Sequence, residues 1–266
     1  MTRRSATAVR VALVGALALQ SLGCRSSPPA AAPHPVRYRL TWAANDVEPT
    51  ADGSAWEVTS NVGYRVRVTR GWVTSYSMEL VECPRVADVD DGVLWSLVAA
   101  TAWAGHNAGT PNPAAIRPMQ VESLMDGAPH EAGTVTLAPQ PYCQVHYLVA
   151  RAGHDSPGLP AELDMVDVSL HVEGTYRAAD ATTDAAFTIH TPAAYGQLFE
   201  RVGNPPAPLH VDTGRSALDV EIRRHRSRLF DGVDFVRMPV KSAGLRMLQA
   251  LVDGTEVAVV AVDGKR

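Results

Sequence analysis

The chain has 266 residues, with 24 Lys and Arg against 28 Asp and Glu and a net charge of −4. That length allows one large domain or two small ones, with ample material for a core. The acidic balance argues against nucleic acid and against anionic lipid surfaces as partners.

The first element is a leader. Arg3, Arg4 and Arg10 form a basic region, residues 11–19 are apolar, and Ser21-Leu22-Gly23-Cys24 follow directly. This is the layout of a secretory signal, and it resembles a bacterial lipoprotein signal with a lipobox. The resemblance implies a signal peptide over 1–23, cleavage after Gly23 and lipidation of Cys24. Ser21 departs from the pattern, since an aliphatic residue is more usual there. An ordinary signal cut near Gly23 and an uncleaved anchor are the alternatives. The apolar run is well short of the roughly 20 residues that span a bilayer. The address that follows is the cell envelope, with a lipid anchor in the outer membrane facing the periplasm. The leader holds three arginines and no acid, so its removal leaves 243 residues carrying −7. Residues 24–37, the Cys and a Pro/Ala-rich run, read as a tether that is partly polyproline II. His34 falls in it and reads as solvated.

From residue 38 onward the pattern is that of strands. Segments 38–42, 55–60, 64–70 and 72–81 come first, with Gly71 as a break or bulge between the last two. Residues 92–103 fit a short helix or a buried strand, and 105–132 is loop-rich. Strands follow at 134–137, 142–150, 166–173, 186–191, 218–223 and 256–262, with a short helix over 245–251. About nine short strands with irregular links predict an all-β fold, a β-sandwich of immunoglobulin-like or Greek-key type with one or two short helices. The segment 38–266 is a single such domain.

If Cys24 carries lipid, Cys83 and Cys143 remain as an even pair in an oxidising compartment. A bridge between them closes a 60-residue loop, worth about 4 kcal/mol by chain entropy. Two free thiols acting as soft metal ligands are the alternative.

Catalytic signatures are absent: there is no G-x-S-x-G, Walker A, G-x-G-x-x-G, H-E-x-x-H or C-x-x-C. What remains is histidine, nine in all. In 166–173 the side chains of Asp167, Ser169, His171 and Glu173 share a polar face, and in 186–191 Thr188 and His190 share one. A hairpin turning between Asp180 and Ala181 sets His171 opposite His190, and a one-residue slip undoes that pairing. Directly opposed residues have Cβ atoms about 5 Å apart, a spacing at which two imidazoles can share Zn or Cu. A half-exposed polar pair with no metal is the competing reading. His146 is the candidate third ligand, facing opposite to Cys143, Val145 and Tyr147. His106, His130 and His154 sit in loops that could cap a site.

The order of segments is also familiar: GYRVRVTRGWVTSYSMELV, then YCQVHYLVARA, then LHVEGTYR with AAFTIHT, then LDVEIRRHRSRLFDGVDF. It resembles the MbnP-like lipoproteins, periplasmic β-sandwich proteins linked to copper. Residues 75–80, the 170–174 and 187–190 pair, and 229–232 match that family's motifs, and the resemblance spans about residues 38–240. It implies an envelope copper-binding protein, sometimes paired with a di-haem redox enzyme that oxidises a Trp. His190 carries over from the F-x-I-H match. The family's Trp-Gly patch is missing from 159–168, and its four-Cys variant is reduced to two mature cysteines. A modified Trp therefore does not carry over, and Trp72, Trp95 and Trp103 read as core residues. Three readings result: a lipid-anchored copper-binding module, a non-catalytic interaction module without metal, and a hydrolase. The first is preferred, and the third lacks any visible nucleophile–base pair.

Overall fold

The computed structural model describes residues 34–83, 112–137, 140–200, 209–210 and 217–262. The leader, Cys24, residues 92–103 with Trp95 and Trp103, and His106 lie outside the described residues. In chain order the strands are β1 (His34–Trp42), β2 (Glu48–Pro49), β3 (Trp56–Thr59), β4 (Arg65–Glu82), β5 (Ala115–Ile116), β6 (Gln120–Ser123), β7 (His130–Leu137), β8 (Pro141–Val149), β9 (Leu170–Arg177), β10 (Ala185–Thr191), β11 (Tyr195–Phe199), β12 (Leu209–His210), β13 (Ala217–Arg224) and β14 (Glu256–Val262). One α-helix among the described residues, α1 (Val240–Asp253), lies between the last two.

The strands form two sheets, as the all-β expectation requires. The smaller runs β14-β13-β1-β7, with β1 and β13 parallel. The larger has ten strands built around β4. The N-terminal half of β4 pairs with β3 and β9, its middle (Trp72–Ser75) with β6, and its C-terminal half with β5 and β8. Apolar residues at alternate positions close the space between the sheets: Val36, Tyr38, Leu40 and Trp42 of β1 and Val220 and Ile222 of β13 meet Val66, Val68, Met78 and Leu80 of β4 and Leu170 and Val172 of β9. The amphipathic helix α1 adds Met247, Leu248 and Leu251 to the same core. It packs against β10 and β11.

Two buried polar groups tie the sheets together. The Tyr38 hydroxyl donates to the Ala114 carbonyl (2.6 Å) and accepts from the Leu80 amide (3.0 Å). Arg224 is fully buried, donates to both carboxylate oxygens of Glu122 (2.7 Å each), and lies with its guanidinium carbon 4.1 Å from the Trp42 ring centroid. Ser75 donates to Glu122 at 2.7 Å and lies 2.9 Å from the Tyr147 hydroxyl.

Several sequence expectations are corrected. The fold begins by His34, which is 6 % exposed in β1, so residues 34–37 are strand and not tether. Gly71 does not break a strand: β4 runs unbroken for 18 residues, and its irregularity against β9 falls between Val68 and Arg70. Residues 166–169 are not in β9. Asp167 has φ +60°, outside the extended region, and the Val168 amide bonds back to the Met165 carbonyl, so the period-2 pattern there belongs to a turn. β5 and β6 interrupt the loop-rich segment, and α1 is longer than its apolar signature.

Candidate metal centre

The β9–β10 hairpin sets the candidate ligands. Its register pairs His171 directly with His190, with Ile189 opposite Val172 and Thr188 opposite Glu173. Leu170, Val172 and Ile189 enter the core, so by alternation both histidines lie on the outer face of the sheet. Their ring centroids are 6.4 Å apart and their planes 14° from parallel. His190 is exposed, on the strand that ends the sheet path. His171 is 7 % exposed.

What encloses His171 comes from β4 and from its own strand. Trp72 is its partner across β4, with ring centroids 6.1 Å apart. Trp72 itself sits in a small second core with Val121, Ala152 and Met165, flanked by Leu159, Leu163 and Val168 from the segment between β8 and β9. The Glu173 carboxylate contacts His171 Nε2 at 2.8 Å. Arg70 Nη1 donates to the other oxygen of Glu173 at 3.5 Å, and its guanidinium carbon lies 5.3 Å from the Trp72 ring centroid. Glu173 was visible in the sequence, sharing the polar face with His171. Trp72 and Arg70 were not, because only the β4–β9 register brings them there.

His146 does not join the pair. It lies opposite Glu79 on β4, with Nδ1 3.4 Å from the carboxylate. Glu79 is seven residues along β4 from Trp72, about 23 Å at the rise of an extended strand. The hydrogen bond from His146 holds the Glu79 carboxyl below its ordinary value, helped by Asn112 and Arg117 and opposed by burial. His130 lies on β7 in the other sheet, opposite Leu40, and His154 is exposed in a loop. Among the described residues, no three His, Cys, Asp or Glu side chains gather as a metal-holding group. The hairpin thus offers two imidazoles, a donor set that suits Cu or Zn and leaves the remaining positions to water or another ligand. Ser169, two residues before His171, has a buried hydroxyl with no partner among the described residues.

The cysteine expectation is met. Cys83 and Cys143 form a disulfide with Cα atoms 4.8 Å apart, joining the end of β4 to β8 where Glu82 pairs with Tyr142.

No family model and no curated protein matches the chain. Among solved structures it is similar to MbnP from Methylosinus trichosporium, at 12% identity over 86% of this chain and 99% of that one, with a TM-score of 0.35. A likeness that distant is a weak structural resemblance and carries no argument about the site.

Proposed function

We propose that this is a lipid-anchored protein of the bacterial cell envelope that holds a copper ion between His171 and His190. One observation carries the reading: two imidazoles face each other across a hairpin, one enclosed and one open to solvent. Imidazole serves copper and zinc alike, and the motif order shared with copper-linked envelope lipoproteins favours copper. The His171–Glu173 bond fits a carboxylate–histidine–metal arrangement, in which an outer carboxylate orients the ligand.

The same bond also favours a second reading, an interaction module in which His171 is a satisfied polar residue and no metal binds. A copper titration of the detergent-solubilised mature protein separates the two. The wild type should show one tight equivalent, lost in the His171→Ala, His190→Ala double variant. Equal binding by both proteins would falsify the site. For the anchor, Cys24→Ala is expected to stop lipid attachment and shift the protein out of the membrane fraction, and unchanged processing and fractionation would remove the lipoprotein reading.

A further inference from the structure

The outer face around the hairpin contains a chain of contacts that runs past the two histidines. It begins at Trp72, under Arg70, and passes to Glu173 and then to His171. An ionised carboxylate can only accept hydrogen bonds. At 2.8 Å from Glu173, His171 Nε2 must therefore be the nitrogen that bears hydrogen. In neutral imidazole the other nitrogen then carries the in-plane lone pair. His171 Nδ1 makes no hydrogen bond among the described residues and is not one of the fully buried, unpartnered atoms.

From this we infer that Glu173 is a positioning residue for the copper site, and that it commits His171 to bind through Nδ1. The inference rests on the copper reading above. Glu173 is not a ligand: its oxygen is occupied by Nε2, and no ion fits between two atoms 2.8 Å apart. Arg70 holds the second carboxylate oxygen, and stacking on Trp72 limits where the guanidinium can go. His190 has no such partner among the described residues, so the two ligands are unequal. One is fixed in ring orientation and tautomer by the fold. The other is exposed and supplies the adaptable half of the site. Outer carboxylates of this kind typically change metal affinity by about 10–100-fold when removed.

The experiment is nitrogen-15 NMR of the imidazoles in the detergent-solubilised mature protein, with and without one equivalent of Cu(I), which is diamagnetic. It is accompanied by affinity measurements on Glu173→Ala and Glu173→Gln against a chromophoric Cu(I) chelator. In wild type, Cu(I) should move the His171 Nδ1 resonance while Nε2 keeps its proton. Glu173→Ala should bind about 10–100-fold more weakly, and Glu173→Gln, which keeps an acceptor oxygen, should recover most of the loss. A general packing role for Glu173 would not select a nitrogen. The wild-type spectrum decides the assignment even if Glu173→Ala does not fold. Copper on Nε2, or unchanged affinity in a folded Glu173→Ala protein, would overturn the inference and leave the copper reading standing. If neither His171 nor His190 responds to Cu(I), the copper reading itself fails and takes this inference with it.

Discussion

Arg224 is a full positive charge with none of its surface in contact with solvent. Burial, the largest single effect, would make the guanidinium easier to deprotonate, but the Glu122 charge and the contacts with Glu122 and Tyr147 together outweigh it and raise its proton affinity. Both oxygens of Glu122 are engaged by Arg224, and Ser75 adds a third bond. The value of such a pair lies in its completeness, because desolvation has already been incurred for both ions. Glu122→Gln should therefore cost about 3–5 kcal/mol by leaving Arg224 unpaired. The Glu122→Leu, Arg224→Met double variant should recover most of that loss, since an apolar pair carries no desolvation cost. Urea unfolding curves of the three proteins check this, and a double variant no more stable than Glu122→Gln would contradict it. The sequence reads as a strand over 218–223 and leaves Arg224 just past its end. Its burial depends on Glu122 and Trp42, about 100 and 180 positions away, and no local pattern reports such a partner.

The β9–β10 hairpin is the element that matters most for the site, and Gly174 lets it dock on β4. A Cβ on Gly174 would lie 2.0 Å from the Arg67 carbonyl oxygen, a backbone atom that cannot swing aside. Gly174 lies opposite Val68, next to the irregularity between Val68 and Arg70, and just beyond it Trp72 pairs with His171. Gly174→Ala should thus cost about 3 kcal/mol, at the upper end for forced overpacking, and should separate Trp72 from His171. Gly127→Ala is the control, since its added Cβ meets only the end of Arg226 at 3.9 Å. Urea midpoints for both, with Trp fluorescence as a probe of Trp72, would show the difference. Two equal midpoints would rule out the close-approach argument. At this scale much was legible in the sequence. The His171–His190 register followed from two runs of alternation and a polar turn, because period-2 patterning fixes both faces once the turn is placed. The start of β9 was misplaced by four residues, because alternation continues through a turn centred on Asp167 as easily as through a strand.

For the molecule as a whole, the Cys83–Cys143 bridge clamps the end of β4 to β8, the central pairing of the larger sheet. It closes a 60-residue separation, so a Cys83→Ser, Cys143→Ser variant should lose about 4 kcal/mol through the gain in unfolded-chain entropy. Guanidinium unfolding of wild type and variant measures this, and a loss under about 1 kcal/mol would mean that the reduced unfolded chain is already constrained there. Composition and alternation by themselves determined the all-β class, the paired cysteines and the two histidines that face each other, because each of these depends on residue type and short-range periodicity. Tertiary structure alone decided that His146 stands apart from them, that His34 belongs to β1, and that Trp72 and Arg70 close around His171 and Glu173. Those outcomes depend on which strands lie side by side and on where a bulge shifts the register. Both are set by how the strands pair and the two sheets close over a shared core, a property of the chain as a whole that no local stretch encodes.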